Sequence, residues 1–422
     1  MIGSQSLLEY FTTKMSACSL VKLSASTIVQ DGCIVERYDL STLPRAVLQE
    51  LLLTSISQSR ILCLRTLIVN WPLRQLILQN VQGFDEPKAV LLAYCLQKFK
   101  CDLQLVDIRG CNIGLHGTTA FCKLAGDIQV SDNDVLGMKI LDTRPTAEYI
   151  KENFPTKALC QRIPPTVVML DCVVDKDNCG LVIQACIKHS VIDLKISHLK
   201  VDSIRGNKLR TLLSSLESSI IKGLNLEMNG LQEDGIKVIS PIISTFTNLT
   251  DLNLSYTGIT SQNTSAIQEI ANICHRVTTL RKLDLSGNYI RSGVNTILNH
   301  LQSPLTHLDL RGCGVRESDL REMCKLDTLE HLQSLKLDGG AFVNCIKLLC
   351  RFVLKSAATL EYLSLEDHMF NSSSVSPLCQ MITTLPLLKR LSLSYNHFSP
   401  DDFRTFKENF PALELVYKEW LY

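Results

Sequence analysis

Leucines recur along this chain at a fixed phase. The set L-x-x-L-x-L-x-x-N/C-x-L is complete at Leu280, Leu283, Leu285, Asn288 and Ile290, at Leu305, Leu308, Leu310, Cys313 and Val315, and at Leu388, Leu391, Leu393, Asn396 and Phe398. Looser copies carry Gly340 or His368 at the asparagine position, after Leu332, Leu335 and Leu337 and after Leu360, Leu363 and Leu365. Upstream come Leu249, Leu252 and Leu254, then Ile221, Leu224, Leu226, Asn229 and Leu231, with weaker copies centred on Leu194 and on Val106 with Ile108. The L-x-L core alternates with the period of a strand, whereas the stretches between carry the period of a helix. Ile267, Ile270, Ala271 and Cys274 share one helical face, as do Cys345, Leu348, Leu349 and Phe352. Successive second leucines, from Leu224 to Leu391, lie 25 to 31 residues apart, enough for a strand, a turn and a helix in each repeat.

One such repeat cannot hide its own leucines, so repeats must stack. The predicted fold is α/β: a leucine-rich-repeat solenoid, a horseshoe of the ribonuclease-inhibitor kind, with parallel strands on the concave side, helices outside and an amino-terminal helical cap. Asn229, Asn288 and Asn396 are expected to bond neighbouring backbone where each strand ends. The organisation read from the pattern is a helical region over 1–72, first repeats over 73–113, an insertion over 114–162 rich in Asp, Asn, Gly, Thr and Pro, and the main array over 163–422. Val167 to Leu170 reads as the strand that re-enters the array.

Composition narrows the function. The chain has 422 residues, 45% of them hydrophobic, and 43 basic against 42 acidic side chains, so it lacks the positive field that nucleic-acid binding needs. Met1 to Ser19 contains no apolar core with a cleavage site, and no stretch is long and apolar enough to span a bilayer, so the expected compartment is the cytoplasm or the nucleus. Seventeen cysteines without a single C-x-x-C predict reduced, structural thiols and no bound metal.

Beyond the repeats, Leu43-Pro44-Arg45, then Leu64 to Leu73 with Trp71-Pro72, then Leu103 to Arg109 follow in order, and later Ile163-Pro164, Gln302 to Leu305 and Lys355 to Leu360. Together these residues resemble the family of the preferentially expressed antigen of melanoma, PRAME, with leucine-rich repeat-containing protein 14. The resemblance implies a substrate receptor of a cullin-2 RING ubiquitin ligase, joined through Elongin B and Elongin C. Leu20, Ser24 and Ile28 match the spacing of the family's Elongin-binding helix, with Ser24 where many such boxes have Cys. Leu43, Pro44 and Val47 sit where a cullin-selecting box would follow. The other reading of Leu20 to Val29 is a cap on the first repeat. A different class of function is a stoichiometric inhibitor or regulator of NF-κB signalling that binds IκB kinase without a ligase.

No phosphate-loop, dinucleotide, zinc-protease or nucleophile-elbow motif occurs, so no catalytic residue, metal or cofactor is expected. The residues flanking the strand leucines should face a protein partner. These are Glu227, Asp251, Lys282, Asp284, His307, Asp309, Arg311, Lys336, Asp338, Tyr362, Glu366 and Arg390.

Overall fold

The computed structural model describes residues 25–29, 39–58, 60–98, 103–126, 128, 130, 166–187 and 192–418. Its strands are β1 Gln75–Ile77, β2 Leu105–Asp107, β3 Thr166–Val174, β4 Ile192–Val201, β5 Gly223–Asn225, β6 Asp251–Asn253, β7 Lys282–Asp284, β8 His307–Asp309, β9 Ser334–Lys336, β10 Tyr362–Ser364, β11 Arg390–Ser392 and β12 Glu414–Val416. The chain divides into two compact units, Met1–Ser197 and His198–Tyr422.

In the second unit every strand pairs parallel with the next, in a register that sets leucine beside leucine. The row runs from Leu199 through Leu224, Leu252, Leu283, Leu308, Leu335, Leu363 and Leu391 to Leu415. Parallel neighbours cannot be joined by a tight hairpin, so each connection crosses over, mostly through a helix such as Gln232–Ile243 or Thr264–Arg276. Ile267, Ile270, Ala271 and Cys274 of the latter are buried under the sheet. This is a leucine-rich-repeat solenoid of the α/β class. In the helix Ile346–Val353, burial falls instead on Leu349, Phe352 and Val353. Cys345 and Leu348, expected on that face, are only half-buried, because Phe342–Cys345 is wound as 3-10 helix and rotates the face.

A column of buried polar groups runs where the strands end. Asn288 donates to the carbonyls of Leu254 at 2.7 Å and Leu285 at 3.0 Å and accepts from the Ile259 amide at 3.1 Å. Asn229 and Asn396 make the equivalent bonds one strand back, to Val201 O at 2.8 Å and Leu365 O at 2.9 Å. The thiol of Cys313 substitutes with a single bond to Leu285 O at 3.2 Å. At the same place His368 lies between Phe342 and Phe370, with ring centroids 4.7 and 5.2 Å away, and its Nδ1 meets Gly340 O. Burial lowers its pKa to about 4, so the ring is neutral near pH 7. The cysteines of this core are free thiols, and burial raises that of Cys274 to about 12.

The first unit repeats the scheme with Leu76, Val106 and Val168 in register on β1, β2 and β3. The helices Arg45–Ser57 and Ile61–Val69 lead into β1. Two features correct the sequence reading. Gly114–Ala125, expected within the insertion, is a helix whose Phe121, Leu124 and Ala125 are fully buried; its polar first turn hid that stripe. Residues 131–165 lie outside the described residues. The repeat expected at Leu194 is centred on Leu199 instead, because Ile196 and Ser197 are both buried and the inward alternation of β4 slips by one there.

Candidate functional site: the strand face of the second unit

Side chains alternate along a strand, so with the central leucines inward the first and third positions share the opposite face. The first-position column reads Asp251, Lys282, His307, Ser334, Tyr362, Arg390 and Glu414. The third-position column reads Asn225, Asn253, Asp284, Asp309, Lys336, Ser364 and Ser392. Two residues further on stand Glu227, Arg311, Asp338 and Glu366. All twelve residues expected to meet a partner therefore belong to these neighbouring columns.

The third position is held locally. These strands are three residues long, and the chain must turn at once. Asn225, Asn253, Asp284 and Asp309 each accept from the backbone amide two residues on, at 2.9, 2.8, 2.9 and 3.2 Å. Asp309 does more than this. It is buried, with Arg311 Nε at 2.9 Å and Lys336 Nζ at 3.0 Å, and its hydrogen bond raises the Arg311 pKa. The partner-facing role expected of Asp309 thus needs correcting: its carboxylate is enclosed by two cations of its own chain. The first unit uses the same device, with Arg109 Nε donating to Asp107 at 2.9 Å.

Around this pair the face carries both signs. Lys282 reaches Asp251 at 2.7 Å and Arg390 reaches Glu414 at 3.3 Å. The Tyr362 ring has Arg390 at 5.6 Å and Lys336 at 6.0 Å from its centroid. Asp338 accepts from Ser364 Oγ at 2.7 Å and Glu366 N at 2.8 Å, yet burial outweighs both bonds and raises its pKa to about 6. The Glu366 carboxylate accepts in turn from Ser392 Oγ. Burial, then Asp309, raises Asp284; burial, then Lys282, lowers His307. Among the described residues no three His, Cys, Asp or Glu are grouped to hold a metal ion. The arrangement offers oriented charges and a half-buried aromatic ring, which suits complementary contact with a protein surface.

Of the other predicted residues, Leu20 and Ser24 lie outside the described residues. Ile28 is half-buried on a short helix, 25–29, whose Ala25 and Val29 are buried and whose Ser26 accepts from Gln58 Nε2 at 2.8 Å. Leu43 and Val47 are half-buried, and exposed Pro44 caps the helix Arg45–Ser57. Sequence reasoning passed over one group, the exposed Met228, Tyr256 and Tyr289 at the strand ends. Aligning the repeats would have exposed it, because Gly287, Gly312 and Gly339 stand where Met228 and Tyr256 do.

Residues 259–414 match the family model described as the PRAME C-terminal domain. The chain resembles the PRAME and leucine-rich repeat-containing protein 14 family. It is 23% identical to leucine-rich repeat-containing protein 14 of Xenopus laevis, over 59% of this chain and 51% of that one. To the Homo sapiens protein of that name it is 28% identical, over 47% of this chain and 40% of the relative. Preferentially expressed antigen in melanoma-like protein 7 of Mus musculus is 26% identical, over 58% and 54%. The chain thus spans about half or less of the length of these relatives. Among solved structures, the leucine-rich-repeat protein LegL7 of Legionella pneumophila is similar over 53% of this chain and 74% of its own, at 20% identity and a TM-score of 0.38. The yeast Rad7 and Elc1 complex covers 98% and 95%, at 14% identity and a TM-score of 0.43. At such scores neither structure bears on what this chain binds.

Proposed function

We propose that this chain is a non-catalytic substrate receptor: the strand face of its second unit takes a protein, and its amino-terminal region joins Elongin B and Elongin C and, through them, a cullin-2 RING ligase. The observation that carries the first half is the strand face itself, whose neighbouring columns hold charges of both signs around Tyr362 on a rigid parallel sheet. Support for the second half comes from the PRAME resemblance, with Leu20, Ser24 and Ile28 as the Elongin-binding helix and Leu43, Pro44 and Val47 as the cullin-selecting box. A stoichiometric regulator of IκB kinase signalling would use the same face without a ligase.

Affinity purification from cells separates the two. A receptor recovers Elongin C and cullin-2, and a double change, Leu20→Ser with Ile28→Ser, loses both while the repeats stay folded, since removing buried aliphatic anchors costs about 2 kcal/mol or more. Undiminished recovery from a folded double mutant contradicts the assignment of the box. Recovery of an IκB kinase without Elongin C identifies the regulator instead.

A further inference from the structure

The large side chains exposed at the strand ends of β5 to β7, Met228, Tyr256 and Tyr289, lie outside the core. Met228 and Tyr256 occupy the same place in successive repeats, the residue just before the column of buried polar groups. They are 71% and 56% exposed, and both adopt left-handed backbone, with φ of +58° and +50°. A side chain is disfavoured in that region, and the next three repeats use Gly287, Gly312 and Gly339 there. A bulky apolar side chain that is strained and faces water is conspicuous as a contact held in readiness. Tyr289, 49% exposed, extends the stripe. Its ring lies against Gly314 and the Tyr256 ring against Gly287, each where a Cβ would stand within 2.5 Å, so the glycines are the seats that hold the two rings in place.

Charge selects the occupant. On the strand side of this stripe stand Glu227 and Asp284, two half-buried carboxylates without an ion pair among the described residues; Arg311, whose charge acts on Asp284, is itself bound to Asp309. On the outer side Arg291 stacks on Tyr289 at 4.6 Å, and an Arg205 guanidinium nitrogen lies 2.6 Å from where a Cβ on Gly230 would stand. A cation is therefore attracted on the strand side and repelled from the outer side. We infer that Met228, Tyr256 and Tyr289 form the anchor of a docking surface for an extended basic segment of a partner protein. An apolar side chain of that segment would seat on the stripe while a neighbouring Lys or Arg meets Glu227 and Asp284. This rests on the reading of the strand face as protein-binding and adds the chemistry of what it binds.

The test is selection of a displayed random-peptide library on the full chain. The expected winners alternate Lys or Arg with Leu, Ile or an aromatic residue. A variant carrying Met228→Gly, Tyr256→Gly and Tyr289→Gly should bind them at least about tenfold more weakly. Glycine adopts the left-handed backbone of Met228 and Tyr256 without strain, as Gly287, Gly312 and Gly339 do in later repeats, and Gly258 and Gly314 stand at the Tyr289 place, so folding is preserved, which thermal melting checks. Glu227→Gln with Asp284→Asn should weaken the same peptides and remove most of their salt dependence. Acidic winners, or winners that bind the triple variant equally well, overturn this inference and leave the protein-binding reading standing. Absence of any enrichment on the wild-type chain overturns both.

Discussion

Two lines of polar residues run across the second unit a few residues apart, and they differ in what they have left to offer. In the buried column at the strand ends each asparagine is consumed by its own chain: Asn288 alone serves Leu254, Leu285, Thr257 and Ile259. On the strand face the local bonds are fewer. Asn253 caps one amide, and Glu227 and Asp284 have no ion pair among the described residues. A residue type therefore says little about role in such an array; the number of its bonds met within the chain says more. Asp309, enclosed by Arg311 and Lys336, belongs with the buried column although it lies on the face.

This contrast predicts a graded series of effects. Asn288→Ala should have the largest, because it leaves buried carbonyls and an amide unmet; a loss on the order of 3 kcal/mol is expected from denaturant unfolding. His368 comes next, through pH. Its folded pKa is about 4 and its unfolded value about 6.5, so the unfolded chain takes up the proton first as pH falls. Its contribution is complete above pH 6.5 and is lost towards pH 4, by about 3 kcal/mol. Asp338, raised to about 6, works in the opposite direction over part of that range, since its folded form gains the proton first. Comparing wild type with His368→Asn cancels the Asp338 effect, and wild type should lose stability relative to the variant, by up to about 3 kcal/mol, as pH falls from 6.5 to 4.

Asp309→Ala should cost about 1–2 kcal/mol in thermal unfolding. That is below the range for a fully buried pair, because Arg311 and Lys336 can turn their charges to water. Smallest of all, Glu227→Gln should shift stability by less than about 0.5 kcal/mol, as expected of a residue held ready for a partner. A large loss there would place Glu227 with the buried column and weaken the comparison.

The repeats were legible because leucine spacing maps directly onto strand register: Leu224, Leu252, Leu283, Leu308, Leu335, Leu363 and Leu391 are paired as their spacing implies. The asparagine column was legible for the same reason. Burial within the face was not, since period two assigns Asp309 and Asp284 to the same side and is silent on which one has Arg311 and Lys336 folded over it. The slip at Ile196 and Ser197 escaped because a single inward doublet leaves both halves of β4 looking regular. Helix Gly114–Ala125 escaped because Gly114, His116, Gly117, Thr118 and Thr119 make its opening turns read as loop, although Thr118 and Thr119 satisfy their hydroxyls on the carbonyls of Gly114 and Leu115.

The central claim is that a protein binds the strand face of the second unit. Quantitative affinity purification from cells, comparing wild type with a folded Glu227→Lys, Tyr362→Ala variant, tests it most directly. One or more proteins recovered with wild type should fall at least about tenfold with the variant, while recovery of Elongin C is unchanged. An identical set of proteins in identical amounts from both would contradict it.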